Sequence, residues 1–177
     1  HALLSELTIQ RSLIHSNECI QGGAIYSYGS NVSVLNSTIA NNSGDDGAFI
    51  YAHHTDLISV NSIFSNNDTY EIYFLQDNDT SEFNFAYSHL RDHANSVLLS
   101  SQTEFQMHEG NIEDDPYFVN PSEGDYSLHI ESPMIDAGTD FYEFEGSIII
   151  EINAEDYFGN APDLGAFENW NAQLYVS

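Results

Sequence analysis

Lysine is absent from the 177 residues, and arginine occurs only as Arg11 and Arg91, against 28 aspartates and glutamates. The formal charge of −26 excludes nucleic acid and anionic membranes as direct partners, because both are held by basic patches. It favours solubility, cation binding and tolerance of salt, and reads equally as a general adaptation to salty surroundings or as a specific acidic function. Cysteine occurs once, as Cys19, which excludes a disulfide within the chain and leaves the redox compartment open. No apolar run reaches the roughly 18 residues that a membrane-crossing helix needs. No secretory leader is visible at the N-terminus.

What is present is a repeat. Gly22-Gly23-Ala24-Ile25-Tyr26 opens a stretch that Ser37-Thr38-Ile39-Ala40-Asn41-Asn42 closes. Gly47-Ala48-Phe49-Ile50-Tyr51 opens a second copy, closed by Ser62-Ile63-Phe64-Ser65-Asn66-Asn67. Ser12-Leu13-Ile14-His15-Ser16-Asn17 is an earlier copy of the closing module, so serines and asparagines recur every 25 residues. A fixed period of this size is the signature of a solenoid.

The repeat unit carries β-branched and aromatic runs, among them Val32-Ser33-Val34-Leu35, Ile58-Ser59-Val60 and Ile72-Tyr73-Phe74-Leu75. Gly, Asn, Asp and Ser interrupt them at turn positions. Such a unit predicts one coil of a parallel β-helix, stacked about 4.8 Å above the last. Like residues then lie over one another. Ile14, Ile39, Phe64 and Leu90 are expected as an inward ladder. Asn17, Asn42 and Asn67 are expected as an amide ladder at a turn, each bonding to the coils above and below. The module resumes at Ser88 with one extra residue, and the period then fades. A short helical turn is expected near Ser101 to His108. The chain opens in Leu7-Thr8-Ile9, already within the repeat, and a bare first coil invites pairing. That start predicts the C-terminal piece of a longer protein, or a subunit that self-associates through its open N-terminal coil.

Gly-Gly-Ala-Ile at 22–25 and Phe-x-x-Asn at 64–67 resemble the paired tetrapeptides of polymorphic outer-membrane proteins and autotransporter-like passengers. Gly47 follows Asp46 rather than glycine, so the second copy departs from that pattern. The last third is more specific. Asp115-Pro116-Tyr117-Phe118-Val119-Asn120-Pro121, Gly124-Asp125-Tyr126-Ser127-Leu128, Ser132-Pro133-Met134-Ile135-Asp136-Ala137-Gly138, Asp156-Tyr157-Phe158-Gly159 and Pro162-Asp163-Leu164-Gly165-Ala166-Phe167-Glu168 follow in order. This string resembles the closing segment of secreted bacterial right-handed β-helix proteins of the pectate-lyase-like superfamily, where it precedes an anchoring or sorting tail. The resemblance implies export and a β-helix upstream, and no single activity. Physically, Pro116, Pro121, Pro133 and Pro162 remove backbone donors and stop coiling. Gly138 and Gly165 are expected at tight turns. Ile148-Ile149-Ile150-Glu151-Ile152 needs cover from the last coils. Asp136 and Asp163 are expected to bond backbone amides.

Lyases on this scaffold use basic residues, as the resemblance implies, and Arg11 and Arg91 lie about three coils apart, too far to share one sugar. His53 and His54 are candidate bases against the alternative of a solvated turn. A hydrolase needs two carboxylates. Asp45-Asp46 resembles the Asp-Asp element of polygalacturonase-type hydrolases, but their Gly-His-Gly and Arg-Ile-Lys elements are missing. For Ca²⁺ the acidic clusters are Asp45/Asp46, Asp77/Asp79 and Glu113/Asp114/Asp115. None has the spacing of a calcium-loop motif, and each also reads as a solvated surface run.

The reading is an all-β, right-handed parallel β-helix. Residues 1–95 form the coils, and 96–177 form an irregular capping segment packed on the helix. The expected function is a non-catalytic exported adhesin or scaffold at the cell surface. It would bind a glycan or partner protein through Tyr26, Tyr28, Tyr51 and Tyr73. One alternative is the end of a polysaccharide-active lyase or glycoside hydrolase whose catalytic coils lie upstream. The other is a structural subunit stacking end to end.

Overall fold

Short apolar runs set between residues that tolerate left-handed backbone dictate a chain that turns at fixed intervals. A computed structural model describes residues 5–65, 67, 70–74, 81–91, 97–98 and 104–170. The turns recur in columns. Gly22 and Gly47 have φ of 65° and 76°, and Arg11, Asn36, Asn61 and Tyr87 have φ of 48°, 45°, 54° and 45°. At Gly22 a Cβ would stand 2.0 Å from the carbonyl oxygen of Ile25, so the Gly-Gly opening is a steric requirement.

Between the turns run parallel strands. The long ones are β1 (Ser5–Gln10), β3 (Ile25–Leu35) and β5 (Ile50–Val60), and the short ones are β2 (Leu13–His15), β4 (Thr38–Ala40) and β6 (Ile63–Ser65). They continue as β7 (Ile72–Phe74), β8 (Glu82–Ala86), β9 (His89–Leu90), β10 (Val97–Leu98) and β11 (Glu104–Met107). One sheet runs β1-β3-β5-β7-β10, with β8 and β11 joined to it through β5, and a second runs β2-β4-β6-β9. All pairings in both are parallel. This is the expected parallel β-helix.

Register makes the ladders. Ile14 pairs with Ile39, Ile39 with Phe64 and Phe64 with Leu90, and the last three are wholly buried. They join Val32, Val34, Phe49, Ile50, Leu57, Ile72, Phe83 and Phe85 in one core. Asn42 Oδ1 accepts from the backbone N–H and side-chain amide of Asn17, both at 3.0 Å. Asn67 Oδ1 does the same for Asn42, at 2.8 and 3.1 Å. The serine column is a second polar ladder. The backbone N–H groups of Ser12, Ser37 and Ser62 each donate at 3.2 Å to the hydroxyl of Ser37, Ser62 and Ser88. Ser88 N–H donates to Asn111 Oδ1 at 3.0 Å.

Several expectations need correction. Residues 104–107 of the expected helical turn form β11, paired with β8, because Phe105 and Met107 complete the core. Residues 101–103 lie outside the described residues. Parallel pairing thus runs past residue 95, as far as the His89↔Ile112 bridge. His53 and His54 lie within β5, at a bend where His54 (φ 51°) stacks on Gly29 (φ 58°), and not at a turn after it. Gly138 has no left-handed backbone; a Cβ there would meet the Pro162 carbonyl at 2.7 Å, so it is small for close approach.

The closing segment lies along the flank of the coils. Hairpin β12 (Phe118–Asn120)–β13 (Asp125–Leu128) and hairpin β14 (Phe141–Phe144)–β15 (Ser147–Glu151) are antiparallel. Tyr142 and Ile150 bury Leu35, Val60 and Ala86, so the isoleucine run finds cover at Ile150, while Ile148 stays 59% exposed. Leu128, Met134 and Leu164 bury Ile63. Asn61 clamps this segment. Its Oδ1 accepts from Thr139 N–H at 2.9 Å, its Nδ2 donates to Thr139 C=O at 2.7 Å, and its own carbonyl accepts from Gly165 N–H at 2.8 Å. Asn61→Gly keeps the left-handed turn and removes both side-chain bonds. It is expected to destabilise the segment by about 1–3 kcal/mol. Hydrogen exchange should quicken at 134–165 before it does in the coils; uniform quickening would refute the clamp.

Candidate functional site

The outward face of the main sheet gathers the aromatic candidates. Tyr26 stacks on Tyr51 (5.2 Å between centroids, 14° between planes), and Tyr51 on Tyr73 (5.3 Å, 7°). Parallel register produces this, since Tyr26, Tyr51 and Tyr73 are paired across β3, β5 and β7. Tyr51 is buried, with both ring faces covered; Tyr26 is 58% exposed. Burial pushes the Tyr51 phenol above its ordinary range, and the neighbouring Tyr26, Tyr73 and Asp46 add to this. Tyr28, 60% exposed, stacks on His53 at 4.6 Å and meets His54 edge-on at 5.7 Å. The face therefore leaves Tyr26 and Tyr28 exposed, and Tyr51, itself stacked on Tyr73, backs the ring of Tyr26.

Beside the tyrosines stands a column that sequence reading missed. Glu6 pairs with Asn31 and Asn31 with Asp56. Glu82 N–H donates to Asp56 Oδ1 at 2.9 Å, and Glu82 pairs with Glu104. All four acids are exposed. Like charges one strand apart repel and give this face a negative potential. The signal was present as acids falling at one position of successive coils.

The remaining candidates are dispersed. Asp45 and Asp46 occupy a turn stacked on Gln21, with Gln21 Nε2 donating to Asp46 Oδ2 at 3.5 Å. Asp114 and Asp115 are exposed in the closing segment, where Asp115 Oδ1 accepts from Tyr117 N–H at 2.8 Å. Asp77 and Asp79 lie outside the described residues. Among the described residues no group of three His, Cys, Asp or Glu gathers closely enough to hold a metal ion. Asp136 and Asp163 bond backbone amides, at Asn160 (3.0 Å), Asp136 (2.8 Å) and Asn169 (2.6 Å).

A second feature that sequence reading missed is a cavity of about 470 Å³ at the seam between the coils and the closing segment. Arg11, Asn36, Asp156, Phe167, Glu168 and Trp170 line it. Burial, then the charge of Asp163, pushes the Glu168 carboxyl up to about 7, and Arg11 pulls the other way. Its oxygens accept from Asp163 N–H at 3.1 Å and Phe158 N–H at 3.4 Å, so Glu168 braces its own loop. No short motif could reveal this cavity, because one wall carries Arg11 and Asn36 and the other is built from residues 127–170.

Residues 3–126 match the family described as Right handed beta helix region. No curated protein and no solved structure matches the chain. With parallel coils in 25-residue register and a family match over more than half its length, the chain belongs to the right-handed β-helix family.

Proposed function

We propose that this β-helix is a non-catalytic scaffold that displays a binding face for an uncharged glycan, acting as an adhesin outside the cell. The observation that carries the reading is the pair Tyr26 and Tyr28 on one flat sheet face, each more than half exposed and each stacked on the coil above. An aromatic ring held rigid loses little entropy on binding and offers an apolar surface to the C–H face of a sugar. The adjoining acidic column disfavours uronates and sulfated glycans, so the partner class is neutral.

The test is binding to a panel of neutral and acidic polysaccharides, with product analysis alongside. Neutral glycans are expected to bind, and Tyr26→Ala with Tyr28→Ala to weaken binding by roughly tenfold or more. Unchanged binding in the double variant, or release of reducing or unsaturated sugar by the parent, would overturn the proposal.

A further inference from the structure

A groove of about 290 Å³ runs between the outward face of β3, β5 and β8 and the hairpin β14–β15. Strand alternation turns Asp56 and Ile58 of β5, and Glu82 and Asn84 of β8, toward it. The hairpin supplies Phe144, Glu145 and Ile149. Asp56, Glu82 and Glu145 are all exposed, and among the described residues no cation is paired with any of them. Like charges stacked in register are destabilising, and a cationic partner relieves them. The acidic column runs on past the groove, from Glu6 through Asn31, Asp56 and Glu82 to Glu104. Those four strand steps cover about 19 Å, which roughly six residues of extended chain would span.

The other groups say which cation fits. Among the described residues no three acids gather closely enough to hold a metal ion. Ile58, Phe144 and Ile149 are partly buried and offer a wall for an aliphatic stem, with the Phe144 ring beside its charged end. Asn84 is 4% exposed, and its Oδ1 is bonded to His108 Nε2 at 2.9 Å. Its Nδ2 keeps accessible surface and has no acceptor among the described residues. A peptide carbonyl is such an acceptor, which a simple amine lacks. A second copy of the chain is excluded as the source, because it has no lysine and its Arg11 lines the seam cavity. We infer that this groove docks a basic segment of a partner protein. One lysine lays its stem on Phe144 and Ile149 and sets its ammonium among Asp56, Glu82 and Glu145, and flanking basic residues meet Glu6 and Glu104.

The test is calorimetric titration at about 0.15 M salt, where distant charges are screened, with the six-residue peptide acetyl-(Lys-Ser)3-amide. One saturable site is expected, with a dissociation constant on the order of 0.1 mM. Asp56→Asn keeps the oxygen that accepts from Glu82 N–H. Combined with Glu82→Gln it should weaken binding about fivefold or more. Glu123→Gln with Glu155→Gln removes the same charge at exposed positions outside the groove and should change binding less than about twofold. Should the groove variant fail to fold, Glu145→Gln on the exposed hairpin turn is read instead, with binding about two- to threefold weaker. Tyr26→Ala with Tyr28→Ala should leave peptide binding unchanged, so a failure here does not touch the glycan reading. No saturable binding of the lysine peptide, equal binding of the matching glutamate peptide, or an equal loss in the two charge variants would overturn the inference. So would tighter binding of spermidine than of the peptide, which would assign the groove to a free polyamine.

Discussion

Phe64→Ala is expected to destabilise the protein by about 3–5 kcal/mol, a large share of the 5–15 kcal/mol typical of a domain. Phe64 is wholly buried, with its ring 4.6 Å from Phe49 and 5.5 Å from Phe85. It stands between Ile39 and Leu90 in register. In a solenoid each coil is held only by its neighbours, so a cavity here loosens the interfaces above and below together. Ile14→Ala removes a side chain from the same column where it is only half-buried, and should cost about 1–2 kcal/mol. Urea denaturation followed by far-UV circular dichroism separates the two. Equal losses would show that the column is not the central core.

Raising the pH from about 5 to about 8 should weaken the fold, and Glu71 should account for much of the change. Its side chain is buried at the end of the asparagine ladder, where Asn67 Nδ2 donates to Glu71 Oε2 at 2.6 Å. Burial pushes its carboxyl from 4.5 up to about 8, with Asn67 and Arg91 opposing. Below 4.5 the carboxyl is protonated in folded and unfolded chains alike. Between there and about 8 the unfolded chain releases its proton while the folded one must keep it or bury a charge. Stability is therefore full at acid pH and falls through this window, by on the order of 3–5 kcal/mol for Glu71. Glu168, pushed up to about 7, and Asp163, raised by burial, act in the same direction on the closing segment. Glu71→Gln supplies a neutral group of the same shape. It should match the parent near pH 5, exceed it near pH 8 and flatten the profile of urea midpoints. Parallel profiles for parent and variant would rule out Glu71 as the cause.

The face proposed for binding was half legible in the sequence. The tyrosines were visible as repeated positions, but stacking assigned them different tasks, because Tyr51 lost both faces to its neighbours. Asp45 and Asp46 drew attention by adjacency in sequence, which says nothing of convergence in space. The acidic column and the seam cavity were hidden because each joins residues from separate coils or from opposite ends of the chain.

By itself the sequence determined the coil. A 25-residue period of small, branched and turn residues admits one stacked register, since a slip would turn every inward side chain outward. It also determined the charge, since 28 acids against two arginines and no lysine leave a formal −26. Only the tertiary structure decided where the aperiodic closing third goes. Its contacts, such as Asn61 with Thr139 and Ala166 N–H with Thr38 Oγ1 at 3.0 Å, obey no period. They arise where two surfaces meet, and a local pattern carries no record of its partner surface.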